Sequence, residues 1–251
     1  MKKLSILFLA NSFADDTIEY MPRIAKEFGY DLDVFNLFIG GCSIETHIDN
    51  LINHKPLYEL RTFNKNKDLW ETTYNVASND FIPSRRWDYI VLQQNSYMSG
   101  LPNGMDNVNK LINLIKKIIN KDVKFVWNMT WAYPKYSDLD VFEAEYNSDQ
   151  EKMFNCILDN INNHIKTNPT FVKIIPNGIA LQEARKCVDE HLLHRDGFHL
   201  SYQPGRYLAG LTACKTLLNI DVKKVTYIPK ENMDEKLKST LIECACKVKL
   251  N

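Results

Sequence analysis

The sequence predicts an α/β protein: a three-layer α/β/α sandwich around a central parallel sheet of about five strands. Two observations carry that prediction. Short apolar runs rich in β-branched and aromatic residues recur along the chain, and segments of helical period stand between them. The runs are also nearly continuous in hydrophobicity, as parallel strands covered on both faces require. Alternation of this kind implies right-handed crossovers that lay helices on both sides of the sheet.

The expected strands are Leu4–Ala10, Leu32–Phe38, Tyr89–Gln93, Lys124–Met129 and Phe171–Ile175. Asp16–Phe28 reads as the helix after the first strand, stopped by Gly29, with Pro22 demanding a kink or a late start. Met105–Ile119 is the clearest helix, since Met105, Val108, Leu111, Ile112, Ile115, Ile118 and Ile119 fall on one stripe. Asp149–Ile165, Ile179–Cys187, Gln203–Leu218 and Asn232–Val248 are further helices. Two stretches fit the alternation poorly. Residues 48–86, with Pro56, Trp70 and many polar side chains, read as an insertion of short helices or a hairpin within a single domain spanning residues 1–251. Trp131–Asn147 collects Trp131, Tyr133, Tyr136, Phe142 and Tyr146 beyond the fourth strand, where they are placed either to wall a pocket or to pack over the core.

Composition removes several function classes. The chain has 31 basic and 31 acidic side chains, so no net field favours nucleic acid or an anionic membrane. The longest apolar run, Ile6–Ala10, is five residues, far short of the ~18 needed to span a bilayer. Six widely spread cysteines without a C-x-x-C pair read as reduced thiols, and the expected location is cytoplasmic. Lys2-Lys3 ahead of Leu4–Ala10 also fits a short signal peptide, cut at Ala10-x-Ser12 or Ser12-x-Ala14. Its apolar part is short and broken by Ser5, so the strand reading is preferred.

In a doubly wound sheet the site lies beyond the carboxyl ends of the strands. Ala10-Asn11-Ser12-Phe13 follows the first strand, Gly40-Gly41-Cys42-Ser43 the second, and Gln93-Gln94-Asn95-Ser96 ends the third; Arg195-Asp196-Gly197-Phe198-His199 lies near the end. That is an inventory for acyl transfer. Ser12 would attack a carbonyl, His199 would take its proton, and Asp196 would fix the imidazole tautomer. The backbone N–H groups of Ser12 and Gly41, with a side-chain amide from Gln93 or Asn95, would receive the oxyanion. Each piece has a plainer use: serine as a helix N-cap, D-x-x-H as a hydrogen-bonded turn, Gly40-Gly41 as turn chemistry. Their joint order along the chain singles out catalysis.

The order Ser…Gly…Asn or Gln…Asp-x-x-His, spanning Leu4 to about Asn219, resembles the SGNH (GDSL-type) hydrolases. The blocks "ILFLANSFADD", "NLFIGGCSIETH", "WDYIVLQQNS", "IIPNGIALQEAR" and "RDGFHLSYQPGRYLAG" are similar to a bacterial subfamily whose first block reads Gly-Asn-Ser-Phe, with Ala10 here in the glycine's place. The resemblance implies a flavodoxin-like fold and an esterase or lipase. It implies Ser12 as nucleophile, His199 as base, Asp196 as its partner and Gly41 as an oxyanion donor. The third block departs from Gly-x-Asn-Asp: Asn95 falls on the asparagine, Gln93 on the glycine and Ser96 on the aspartate, so both Gln93 and Asn95 stand as the amide. The expected substrate is a short-chain, acetyl-type ester on a small molecule or glycan. An acyltransferase to a sugar hydroxyl and an inactive carbohydrate-binding domain are the alternatives.

Other constellations are set aside. His191 and His194 have no third ligand at recognisable spacing, so no metal is expected, and no cofactor. Asp15-Asp16 would suit a phospho-receiver, but Gln93 stands where such a domain needs aspartate. There is no phosphate loop and no dinucleotide fingerprint.

Overall fold

A computed structural model describes residues 1–119, 122–229 and 233–249. Seven strands form one sheet: β1 (Lys2–Ala10), β2 (Tyr30–Phe38), β3 (Tyr58–Asn64), β4 (Leu69–Val76), β5 (Tyr89–Leu92), β6 (Lys124–Asn128) and β7 (Phe171–Ile175), in the order β4-β3-β2-β1-β5-β6-β7. β2, β1, β5, β6 and β7 run parallel in the doubly wound order; β3 and β4 extend the β2 edge as an antiparallel hairpin. The five expected parallel strands are present within two residues of their expected ends. The hairpin raises the sheet to seven strands. Its half-exposed, alternating pattern explains why it lacks the continuous apolar signature that marks the others.

The helices are α1 (Ser12–Ile18), α2 (Met21–Glu27), α3 (Ile44–Ile52), α4 (Ser78–Phe81), α5 (Val108–Ile118), α6 (Asp140–Tyr146), α7 (Gln150–Asn160), α8 (Asn177–Ala184), α9 (Glu190–Leu193), α10 (Pro204–Leu218) and α11 (Glu235–Lys247). α1, α2, α8 and α10 pack together, with α11 outside them; α3 and α5 pack together in a second layer. Pro22 sits in the first turn of α2 and divides the expected helix in two, as a residue without an N–H must. α5 starts three residues late because Met105–Asn107 form a turn, yet Val108, Leu111, Ile112 and Ile115 face the core as the stripe requires. α7 runs on into a π-helical turn at Ile161–Ile165. Asn232, the expected start of the last helix, lies outside the described residues; Asp234 caps α11 through the Leu237 N–H.

β1 occupies the centre of the sheet, and Ile6 to Ala10 are wholly buried. The segment with the alternative leader reading is therefore the strand to which β2 and β5 attach. Among the described residues no helix is long and apolar enough to cross a membrane. The aromatic stretch after β6 is largely packed over the core: Trp131, Tyr133, Phe142 and Tyr146 are buried, and only Tyr136 is substantially open.

Candidate active site

β1 ends at Ala10, and the next residue decides what Ser12 can do. Asn11 is extended (φ −138°), and its Oδ1 caps α1 by accepting from the Phe13 N–H at 3.1 Å. Asn11 thus takes the capping role that a serine here would otherwise fill. Ser12 becomes the first helical residue, and its Oγ lies 2.9 Å from Nε2 of His199. The other ring nitrogen, Nδ1, lies 2.8 Å from Oδ2 of Asp196.

His199 arrives on a tight loop. An isolated antiparallel bridge joins His194 to Leu200, and Asp196 sits near the tip between them. Asp196 Oδ1 accepts from the Phe198 and His199 N–H groups at 2.9 and 2.6 Å, while Oδ2 faces the imidazole. The D-x-x-H motif is thus a hydrogen-bonded turn and an oriented Asp–His pair at once. Burial pushes the Asp196 carboxyl up, but the N–H groups of His199 and Phe198 and the imidazole outweigh it, leaving the carboxyl below its ordinary value.

The loop is fastened to α1 by Asp16, which is fully buried. Its Oδ1 accepts from Arg195 Nη1 and Arg206 Nε, each at 2.8 Å, and its Oδ2 accepts from the Leu200 N–H at 2.9 Å. Ser12 and Asp16 stand one helical turn apart, so one short helix presents the hydroxyl and holds the imidazole's loop. Behind the loop, His194 accepts from Arg185 at Nε2 and faces the His199 carbonyl through Nδ1. Burial lowers the His194 pKa to about 3, which keeps the ring neutral. Phe13 stacks on Trp131 with centroids 4.0 Å apart, and Trp131 donates to the Phe198 carbonyl at 2.9 Å.

Gly41 adopts a left-handed φ of +62°, which glycine reaches without Cβ strain. Asn95 Nδ2 donates to the Gly41 carbonyl at 2.6 Å, so one of its two N–H protons remains uncommitted there. Among the described residues, neither the Ser12 nor the Gly41 backbone N–H has a protein acceptor. Gln93 sits differently. Its Nε2 donates to Asn11 Oδ1 at 2.6 Å, and its Oε1 accepts from Asn128 at 2.8 Å. Asn128 in turn accepts from Asn177, so a buried amide chain crosses beneath the site from the Asn11 cap to α8. Gln94 braces the same corner, accepting from the Ile44 and Asn95 N–H groups and donating to the Gly104 carbonyl.

The structure therefore gathers Ser12, Gly41, Asn95, Asp196 and His199, and holds Gln93 one layer below. The sequence assigns no role at this site to Asn11, Asp16, Asn128, Asn177, Arg195 or Arg206, and Asp16 is weighed there only as half of an acidic pair. The signal for three of them is present, in Asn11 as an N-cap residue ahead of a helix and in Arg195 and Arg206 around an Asp/His loop. Among the described residues no group of three or more His, Cys, Asp or Glu side chains is placed to hold a metal ion.

No curated protein matches the chain. A crystal structure of a DUF4886 family protein from Bacteroides uniformis superposes with a TM-score of 0.90 at 31% identity, covering 97% of this chain and 93% of that one. A candidate SGNH hydrolase from Slackia heliotrinireducens is similar in fold at 16% identity and a TM-score of 0.52, over 86% of this chain and all of that one. So is a catalytic mutant of an acetylxylan esterase from Geobacillus stearothermophilus, at 10% identity and a TM-score of 0.51, over 86% of this chain and 94% of that one. The model of the domain of unknown function DUF4886 matches residues 5–246, and the chain belongs to that family.

Proposed function

We propose that this protein is a serine esterase that cleaves a short-chain, acetyl-type ester through an acyl-enzyme at Ser12, with a carbohydrate as the alcohol. The observation that carries the reading is the unbroken hydrogen-bonded chain Ser12 Oγ–His199–Asp196, at 2.9 and 2.8 Å. As His199 Nε2 takes its proton, Ser12 Oγ bonds to the ester carbonyl carbon, and Asp196 holds Nδ1–H and the imidazolium that forms. The oxyanion is received by the Ser12 and Gly41 N–H groups and the free Asn95 Nδ2 proton, each such donor being worth about 10²–10³ in rate. The tetrahedral species collapses with cleavage of the ester C–O bond, and His199 returns the proton to the departing alcohol. Water then attacks the acyl carbon as His199 takes its proton, and the second tetrahedral species collapses with cleavage of the bond to Ser12 Oγ, to which His199 returns the proton as the acid leaves. Gln93 acts here as a positioning residue, because its amide is engaged by Asn11 and Asn128. The acetylxylan esterase among the fold neighbours is consistent with the carbohydrate part of the proposal.

The test is turnover of p-nitrophenyl acetate by the wild type and by Ser12→Ala, alongside labelling with a fluorophosphonate. The variant should lose several orders of magnitude in kcat and all labelling. Equal turnover by the two proteins rejects the proposal. Release of acetate from acetylated xylo-oligosaccharides, and not from glycerol triacetate, tests the alcohol.

A further inference from the structure

Away from the site, two sulfurs that no catalytic role absorbs lie side by side. Cys187 follows α8 on an exposed turn, and Cys244 is buried in the last turn of α11; their Sγ atoms are 3.7 Å apart. Bonded sulfurs lie about 2 Å apart, so a modest side-chain rotation on the turn closes the gap. Of the six cysteines, Cys42, Cys214 and Cys244 are buried and Cys156 and Cys246 half-buried, which leaves Cys187 as the exposed one among the described residues.

We propose that Cys187 and Cys244 form a dithiol site that reacts with low-molecular-weight disulfides, of the glutathione disulfide class, and closes to a bond fastening α11 onto α8. The exposed Cys187 thiolate attacks one sulfur of the small disulfide, forming a mixed disulfide and expelling one thiolate. Cys244, deprotonated in turn, attacks the Cys187 sulfur; the protein disulfide forms and the second small thiolate leaves. Two protein thiols are oxidised, one small disulfide is reduced to two thiols, and the two protons end on the leaving groups. The order follows from the surroundings. Burial and the neighbouring Cys187 sulfur push Cys244 up to about 12, so the buried thiol serves as the resolving partner and that step quickens as pH rises.

The bond would close a loop between positions 57 residues apart and tie α11 to the stretch that leads into the His199 loop. Lys247 already reaches Glu183 across the same seam, at 3.8 Å. Within that stretch Arg185 binds Glu190 and His194. A crosslink there fastens the outermost helix to the segment that supports the imidazole.

Intact-mass analysis after incubation with glutathione disulfide and acid quench tests this without any measurement of catalysis. The wild type should lose two hydrogens, give a linked Cys187–Cys244 peptide and show a glutathione adduct only transiently. Cys244→Ala should keep that adduct on Cys187, and Cys187→Ser should take up none. A lasting adduct on wild-type Cys187, no reaction, or a crosslink through Cys246 overturns the proposal. The oxidised wild type should also melt several degrees higher, reversibly with dithiothreitol; an unchanged Tm overturns the fastening of α11.

Discussion

Asp15 and Asp196 are both carboxylates near Ser12, and their surroundings drive them in opposite directions. Burial holds Asp15 up at about 6, against hydrogen bonding by Asn36 and the nearby Arg61. It therefore binds its proton more tightly folded than unfolded, where about 3.9 applies. The protein loses that contribution as pH rises from about 4 to about 6, and stays without it above. Asp15→Asn should be about 1–2 kcal/mol more stable than wild type at pH 8, the side chain's partial exposure reducing the full effect. Urea unfolding across pH 4 to 8 checks this; an unchanged slope below pH 6 would contradict it. Asp196 behaves in the reverse sense, with its depressed value stabilising the fold above about pH 4 and that stability lost as acid protonates it. Asp196→Asn should lower kcat on p-nitrophenyl acetate by about 10²- to 10⁴-fold with little change in KM. Ser12, Gly41, Asp196 and His199 are legible in the sequence because each stands just past a strand or in a short motif. The choice between Gln93 and Asn95 is not legible, since it rests on which amide is already bonded to Asn11 and Asn128.

For the elements, α1 is the short helix on which the site depends. Its cap, Asn11, also donates to the Cys42 carbonyl at 3.0 Å and receives Gln93, joining the loops after β1, β2 and β5. Its buried carboxylate, Asp16, neutralises two arginines. Asp16→Ala leaves those cations facing a void and frees the loop between His194 and Leu200. It should cost about 3–5 kcal/mol in chemical denaturation, and activity should fall even where the variant remains folded. A loss under about 1 kcal/mol would show that Arg195 and Arg206 find other partners. None of this is readable from local pattern, because Asp16 meets Leu200 across 184 positions. The hairpin of β3 and β4 escaped a definite sequence reading for another reason: both its strands are half-exposed and polar, so the period is weak. The aromatic residues after β6 read well as apolar but not as pocket or core, a distinction set by the helices that cover them.

Across the whole molecule, the parallel part of the sheet was predictable because buried strands carry unbroken apolar runs and helices between them force the crossovers. β1 lies fourth of seven strands, flanked by β2 and β5, whereas β4 and β7 are the edges. Native-state hydrogen exchange should find the amides of Ile6–Leu9 protected up to the global unfolding free energy. Amides on β4 should exchange first, through local opening of the hairpin. Equal protection of the two strands would mean that the hairpin and the central sheet open as one unit. β7 carries its own guard at the other edge, with Lys173 Nζ donating to the Thr216 and Leu217 carbonyls at the end of α10.

The 187-position separation between hydroxyl and imidazole also has a temporal meaning. On the proposed mechanism, a chain emerging from the ribosome exposes Ser12 early and His199 only after all seven strands have been made, so a nascent polypeptide halted ahead of Arg195 carries a serine with nothing to deprotonate it. A fluorophosphonate should therefore label full-length protein while passing over translation products halted ahead of Arg195.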